Sequence, residues 1–366
     1  MGAVIAGAGK ALPKLVVTND DLATLVDTSD EWIVPRTGIH ERRIAVDEST
    51  TDLASAACAA ALGMDFDSGL ETAAWAPAAI DPESIDLIVC STVSGDMVVP
   101  SQAALVRARL GLVNAAAFDV NAACAGCVYA TTVAENLMFS ANARQGAQNP
   151  IKRALVVGAE RLTHCTDWTD RNTCVLFGDG AGALVLEWDE EAPGIMSTFV
   201  KNTDDPDLSL VEPNPLRTDP MPFDENGVVA PSADGTQNGV FSEINRSSLA
   251  NPYIQMDGRA VFKFATSALA EAVNVALDRA QVSIDDVACV VPHQANERII
   301  RNAAKKLGKD MDFFQVSIGS AANTSSASAL MALCDAFVAG RINPGDYVVV
   351  CGFGGGLTSG AFVFKA

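Results

Sequence analysis

The chain has 366 residues, of which 49% are apolar and 28 are glycine, enough for two domains or one large core of helices packed closely on sheets. A formal net charge of −20 argues against nonspecific binding to nucleic acid or to an anionic membrane, and any acidic partner must find a local basic patch. Nine cysteines stand singly in apolar surroundings, among them Cys58, Cys90, Cys174, Cys289, Cys334 and Cys351, the usage of small buried hydrophobes in a reducing compartment rather than of a disulfide framework. Residues 1–17 are interrupted by Lys10, Pro13 and Lys14 without a signal-peptide layout. No stretch reaches membrane-spanning length free of charge, so the expected location is the cytoplasm.

In chain order, residues 3–8 predict a first strand. The Gly7-Ala8-Gly9-Lys10 that follows has the look of a nucleotide-binding loop. Leu12, however, stands at the third glycine position of the dinucleotide fingerprint, and the P-loop spacing is missing; a strand-to-loop turn is the expectation. Asn19 is placed as the cap of a short helix carrying Leu22, Leu25 and Val26. An alanine-rich helix over 51–62, a partly acidic stretch over 63–79, a buried strand over 85–92 and a helix over 102–110 with Arg107 and Arg109 outward come next.

Asp119-Val120-Asn121-Ala122-Ala123-Cys124-Ala125-Gly126-Cys127 then runs from an apolar strand through small residues into a helical stretch ending near Arg144. Small neighbours leave room for a substrate carbonyl at Cys124, and the apolar run 128–139 reads as a buried helix starting just after it. A thiol there meets unpaired backbone N–H groups and the positive end of the helix macrodipole, which favours the nucleophilic thiolate. Cys124 and Cys127 also form a C-x-x-C, so a dithiol oxidoreductase is the rival chemistry. That motif usually follows the first strand of a small domain, whereas this one lies deep in a long chain, and Cys127 is read as a packing residue.

Strands over 154–159 and 181–188 close the first half, and the second half repeats the order. Strand 287–292 answers 85–92, strand 348–352 answers 154–159, 360–365 answers 181–188, and Asn323, in Gly319-Ser320-Ala321-Ala322-Asn323-Thr324-Ser325-Ser326-Ala327-Ser328, stands where Cys124 stood. The division is drawn at 1–190 and 191–366, and a pseudo-dyad brings the starts of two buried helices, with Cys124 and Asn323, into one site. His293, one of three histidines, follows the strand 287–292, and a glycine turn follows the strand 348–352. Each places its polar residue beyond a strand end, where α/β sheets gather their chemistry. The segment 202–253, rich in Asp, Pro, Asn, Gly and Ser, reads as a long surface excursion.

These residues resemble the Cys-His-Asn site of the thiolase-fold condensing enzymes, and the chain is most similar to the β-ketoacyl-acyl-carrier-protein synthase III family. Thr28-Ser29-Asp30-Glu31-Trp32-Ile33 with Arg36-Thr37-Gly38-Ile39, the stretch 167–171, Phe177-Gly178-Asp179-Gly180-Ala181-Gly182 and Phe262-Lys263 match it in order. Against that family 63–79 and 202–253 look like insertions, the latter a lid or an ordered surface loop. The resemblance implies an α/β thiolase-like fold, duplicated βαβαβ halves in a five-layered α-β-α-β-α arrangement, each with a mainly parallel sheet, and a homodimer.

It further implies that Cys124 takes an acyl group from an acyl-coenzyme A and that His293 and Asn323 donate hydrogen bonds to the enolate formed when a malonyl thioester on acyl carrier protein loses carbon dioxide. The backbone N–H groups of Cys124 and Gly355 form an oxyanion hole on this reading. Trp32, Arg36 and Arg171 hold the nucleotide end of coenzyme A. On the helix 295–307, Arg298, Arg301 and Lys305 lie at helical spacing on one face, with Ile299, Ile300 and Ala303 turned inward; with Lys306, and with Lys263 nearby, they are placed at the carrier-protein docking surface. Val99 and Cys127 are assigned to the acyl pocket, Val99 standing where the family commonly has a phenylalanine. Coenzyme A thioesters are substrates, and no metal or other cofactor is implied. A starter-unit condensing enzyme or related acyltransferase of secondary metabolism, and a protein that only binds carrier protein, are the alternative functions.

Overall fold

The structure, a computed structural model, describes residues 1–143, 150–213 and 251–366 together with the short strands Phe223–Asp224 and Gly227–Val228. Most of the excursion read as a lid, and the expected helix end at Arg144, lie outside the described residues.

Two sheets carry the fold. The first has six strands in the order Glu71–Trp75, Gly2–Leu12, Asp179–Asp189, Arg153–Arg161, Leu87–Ser91, Ala116–Val120. The second has four, in the order Ile195–Asn202, Thr358–Lys365, Tyr347–Gly354, Val287–Pro292. From Gly2–Leu12 onward the first sheet has the same sequence of pairings as the second: antiparallel, antiparallel, parallel. The strand that answers Ala116–Val120 is reduced to a single parallel bridge between Val290 and Phe314. Within each sheet most strands run one way, and Asp179–Asp189 and Thr358–Lys365 are the reversed strands that the two share. The stretch 63–79 supplies the outer strand Glu71–Trp75, which pairs antiparallel with Gly2–Leu12.

Layering follows from burial on both faces. Leu87–Ser91 is buried at every residue, as a near-continuous apolar run requires when helices cover both faces of a sheet. Thr50–Leu62 and Gln102–Leu110 cover the outer face of the first sheet, sharing a core of Leu53, Ala57, Ile88 and Val157. Gly126–Ala143 and Ser328–Val338 fill the space between the sheets, where Val89, Val128, Leu330, Val350 and Phe362 meet. Gly258–Ala280 and Glu297–Leu307 cover the outer face of the second sheet through Leu269, Val273, Ile300 and Val349. Five layers result. By length and composition alone Gly258–Ala280 could cross a membrane, but half of its apolar window is buried in the protein and it packs on the second sheet.

Two local expectations are corrected. Thr18, not Asn19, caps the first short helix: its hydroxyl accepts from the Asp21 N–H while the Asp21 carboxylate accepts from the Thr18 N–H. Asn19 turns inward, where its side-chain oxygen accepts from the Arg42 guanidinium at 2.9 and 3.0 Å and its amide donates to the Ile39 carbonyl. The run 128–139 is buried only along one side. Leu137 and Phe139 are exposed, and Phe139 lies edge-on to Trp188.

Candidate active site

The strand Ala116–Val120 delivers the chain to Asn121, whose side-chain oxygen accepts from the Ala123 N–H at 3.1 Å. That hydrogen bond holds Ala123 at φ 46°, a left-handed conformation rare for a residue with a Cβ. One short 3₁₀ turn, Ala123–Ala125, then carries Cys124 into the helix Gly126–Ala143. The second half repeats this device: the Asn323 side-chain oxygen accepts from the Ser325 N–H at 2.9 Å, Ser325 has φ 44°, and the 3₁₀ turn Ser325–Ala327 leads into Ser328–Val338. The register is therefore three residues away from the sequence expectation. Asn323 answers Asn121, and the residue in the place of Cys124 is Ser326.

The two turns pack on each other through glycines. A Cβ on Gly126 would lie 1.8 Å from the Ser91 hydroxyl, and one on Gly158 would lie 2.4 Å from the Ser326 carbonyl oxygen. On the other side a Cβ on Gly354 would come within 2.5 Å of the Cys124 backbone nitrogen, and one on Gly352 within 3.5 Å of the Cys124 carbonyl oxygen and 3.8 Å of the His293 Cβ. A strand bare at Gly354 is what lets the nucleophile turn approach so closely, whereas a Cβ on Gly352 would make ordinary van der Waals contact.

Asn323 is fixed by its backbone, donating to the Leu176 carbonyl at 3.0 Å and accepting from the Gly178 N–H at 3.0 Å. His293 is buried; its N–H donates to the Cys351 carbonyl, its Nδ1 lies 2.5 Å from the Ser328 hydroxyl, and its ring meets Phe353 edge-on. The Ser328 hydroxyl is also 3.0 Å from the Ser325 carbonyl, and Ser325 hydrogen-bonds to the Cys124 thiol. Thus Cys124, His293 and Asn323, from three distant segments, are joined through one serine-rich turn.

Burial dominates the electrostatics. It pushes the Cys124 thiol up to about 12, with the Ser325 hydrogen bond pulling the other way; an ionised Glu160 would add to the rise. The expected bias toward thiolate is thus opposed in the free chain, because dehydration of the sulfur outweighs the donors around it. Burial also lowers His293 to about 3, so its imidazole is neutral at ordinary pH.

A cavity of about 1230 Å³ reaches Cys124. Leu162, Phe177 and Ile254 form one apolar wall, packed with Val93 and Leu210. Gly355 and Val99 also line it, Val99 at 84% exposure on the open side. Cys127 is not among its lining residues. One helical turn past Cys124, it points into the core between the sheets with Val128, Cys289 and Val291, fully buried, and this corrects its assignment to the acyl pocket. All nine cysteines are free.

Trp32, Arg36 and Arg171 cluster away from the cavity. The guanidinium carbons of Arg36 and Arg171 lie 4.7 and 4.0 Å from the Trp32 ring centroid, and the buried Nε of Arg171 has no hydrogen-bond partner among the described residues. Asn296 joins this cluster to the His293 segment by donating to the Arg36 carbonyl at 3.0 Å. Beyond it, Glu297–Leu307 buries Ile299, Ile300 and Ala303 as expected. Arg298 stacks on Phe262 at 5.5 Å, Lys306 donates to the Ser267 hydroxyl at 2.8 Å, and Lys263 lies on the adjoining helix Gly258–Ala280. Arg301 differs from the expected free stripe, since it pairs with Glu297 one turn back.

Sequence reading passed over Glu160, Glu212 and the roles of Ser325, Ser326 and Ser328. Glu212 lines the cavity, and burial raises it to about 7. Among the described residues no group of three or more His, Cys, Asp or Glu side chains could hold a metal ion.

Two family models match the chain: 3-oxoacyl-[acyl-carrier-protein (ACP)] synthase III over residues 118–204 and its C-terminal counterpart over 277–366. A β-ketoacyl-[acyl-carrier-protein] synthase III from Clostridium beijerinckii is 42% identical over 99% of this chain and 98% of its own length. One from Xanthomonas campestris pv. campestris is likewise 42% identical, over 99% and 97%. Among solved structures, 3-oxoacyl-[acyl-carrier-protein] synthase III from Aquifex aeolicus superposes with a TM-score of 0.80 at 36% identity, covering 100% of both chains. The priming β-ketosynthase of the R1128 polyketide biosynthetic pathway also reaches 0.80, at 30% identity over 100% of this chain and 96% of that one.

Proposed function

The chain belongs to the β-ketoacyl-acyl-carrier-protein synthase III family of thiolase-fold condensing enzymes, and on that premise we propose that it starts type II fatty acid synthesis through an acyl-Cys124 intermediate. The observation that carries this reading is the convergence of Cys124, the glycine strand and the turn that joins His293 to Asn323.

In the first half-reaction the Cys124 sulfur attacks the carbonyl carbon of an acyl-coenzyme A. The carbonyl oxygen gathers negative charge, for which the backbone N–H groups of Cys124 and Gly355 are the donors. Collapse expels coenzyme A thiolate, and the proton once on Cys124 leaves with it. A thiol raised by burial fits this bookkeeping, because the proton given up on acylation is the one the leaving group needs. In the second half-reaction a malonyl thioester on acyl carrier protein loses carbon dioxide, and the enolate carbon attacks the acyl-Cys124 carbonyl. One carbon–carbon bond forms and the Cys124 thiolate departs, giving 3-oxoacyl-acyl carrier protein.

During decarboxylation negative charge builds on the thioester oxygen, where a neutral imidazole and the Asn323 amide are suitable donors. The Ser328 hydroxyl lies 2.5 Å from Nδ1 of His293 and 3.0 Å from the Ser325 carbonyl; this reading takes the tautomer in which its one proton goes to Nδ1, the shorter contact, and the ring hydrogen sits on Nε2. A protonated histidine is not required, in keeping with a side chain that burial holds neutral.

We place the nucleotide end of coenzyme A at Trp32, Arg36 and Arg171, where two guanidinium groups gathered on an indole ring suit a purine and phosphates. Acidic carrier protein is assigned to the face bearing Arg298, Lys305, Lys306 and Lys263. The remaining parts of the reading are a homodimer, a cytoplasmic location consistent with nine free cysteines, and halves divided at 1–190 and 191–366, supported by the repeated strand order. Coenzyme A thioesters serve as substrates, and the chemistry calls on no metal or redox cofactor.

Incubation with acyl-coenzyme A and malonyl-acyl carrier protein, followed by mass measurement of the carrier, tests the reading. A 3-oxoacyl carrier supports it; an unchanged carrier with a labelled acceptor of another kind would favour the alternative of a starter-unit condensing enzyme, which the likeness to the polyketide priming synthase motivates.

A further inference from the structure

Glu160 stands at the end of the strand Arg153–Arg161, wholly buried, and the mechanism above does not use it. Its Oε2 accepts from four donors: the Ser94 hydroxyl at 2.6 Å, the Val93 N–H at 3.1 Å, the Ser94 N–H at 3.2 Å and the Thr92 hydroxyl at 3.2 Å. Those three residues line the cavity that reaches Cys124. Its Oε1 faces the other way and lies 2.6 Å from the hydroxyl of Ser326, the residue that answers Cys124 in the second half. Glu160 thus bridges the cavity wall and the turn that begins at Asn323.

The hydrogens around Oε1 do not balance for an ionised carboxylate. The Ser326 hydroxyl is 2.6 Å from Oε1 and 2.8 Å from the Ser91 carbonyl oxygen, and it has one proton for two acceptors. An ionised Glu160 would leave one of these short contacts as a bare oxygen pair. A carboxylic acid resolves both, with Oε1–H donated to Ser326, the Ser326 hydroxyl donated to Ser91, and the two lone pairs of Oε2 taken by its shortest donors, the Ser94 hydroxyl and the Val93 N–H, while the Ser94 N–H is shared with the Thr92 hydroxyl. No ion pair to Glu160 occurs among the described residues, and burial acts in the same direction by pushing its pKa up.

We propose that Glu160 is a positioning residue that works as a neutral carboxylic acid: it ties the Thr92–Val93–Ser94 wall of the acyl cavity to the Ser326 turn while keeping a second negative charge away from Cys124. An ionised Glu160 would oppose thiolate formation at Cys124 and would oppose the enolate equally.

Glutamine mimics the acid in this setting. Its carbonyl can take the same donors and its amide can donate to Ser326, whereas alanine removes both ties and aspartate is one methylene too short to make them together. We expect Glu160→Gln to keep kcat/KM within about threefold of the unmodified enzyme, and Glu160→Ala and Glu160→Asp to lose more than about tenfold, the scale of a broken hydrogen bond to a charged or buried group. The loss in Glu160→Ala should fall mainly on KM for acyl-coenzyme A, as the cavity wall is released.

The inference rests on the condensing-enzyme reading only in its kinetic arm. Infrared spectra of the ¹³C-glutamate-labelled chain at mildly alkaline pH, where Glu212, raised to about 7, is mostly ionised, read the proton directly. A protonated-carboxyl band present in the unmodified chain and missing from Glu160→Gln supports the proposal whatever the reaction turns out to be. Absence of that band from the unmodified chain, a Glu160→Gln protein that does not fold, or one as impaired as Glu160→Ala would each overturn it.

Discussion

Cys124 and Cys127 are three residues apart, nearly one helical turn, yet their surroundings differ. Cys124 lies ahead of the helix and lines the cavity, while Cys127 points into the core between the sheets. Both thiols are raised by burial to about 12, so access rather than acidity distinguishes them. We expect acyl-coenzyme A to label Cys124 and leave Cys127 unlabelled, with Cys124→Ala losing condensation; peptide mapping of the acylated protein checks this, and label on Cys127 would end the mechanism. His293 gives a test of a different kind. Burial lowers it to about 3, against about 6.5 in an unfolded chain. Between those values the unfolded chain binds a proton that the folded chain excludes, so the stability this residue contributes is complete above about 6.5 and is lost as the pH falls toward 3. Denaturant titrations of the unmodified chain and His293→Gln should therefore converge on acidification. Parallel curves from pH 7 to 4 would mean that His293 is protonated in the fold.

The elements were legible in the sequence to different depths. The positions of most strands, the buried helices and the inward face of Glu297–Leu307 followed from apolar periodicity, which local sequence carries. The register between the halves did not, because both helix entries are runs of small residues that also allow Asn323 to stand against Cys124, whereas the backbone aligns the left-handed residues Ala123 and Ser325. The repeated asparagine two residues before each of them was the available signal. Glu160 escaped notice for another reason: its partners are 66 to 68 and 166 residues away, and nothing in its neighbours announces a buried carboxyl. On the helix proposed for docking, pairing of Arg301 with Glu297 leaves Arg298, held on Phe262, and Lys305 as the cations to test. Charge reversal at both should raise KM for the carrier-protein substrate several-fold and become milder with added salt. Acylation by acyl-coenzyme A should stay unchanged, and an equal effect on the two steps would remove this helix from the docking surface.

At the scale of the whole molecule the open question is what closes the cavity. Its inner wall of Leu162, Phe177 and Ile254 is buried, but the loop bearing Met97, Val98 and Val99 leaves three apolar side chains exposed at its mouth, Val98 at 69% and Val99 at 84%. That loop is not slack. Asp96 accepts from the Thr50 and Thr51 N–H groups at the start of a helix, and Glu160 takes the donors of Thr92, Val93 and Ser94. Exposed valines on a fixed loop suit a second copy of the chain, and in the homodimer proposed above the residue at 99 would border the acyl chain. Valine there is several carbons smaller than the phenylalanine common in the family, which leaves room for a longer primer. Each further methylene buried contributes about 0.8 kcal/mol, or about fourfold in binding. We therefore expect butyryl-, isobutyryl- and hexanoyl-coenzyme A to be used as well as or better than acetyl-coenzyme A. Val99→Phe, which fills the space without touching Cys124 or the serine turn, should restore the preference for acetyl. Catalytic efficiencies for the four primers in both forms decide it, and a strong acetyl preference in the unmodified enzyme would show that Met97 or another neighbour already closes the pocket.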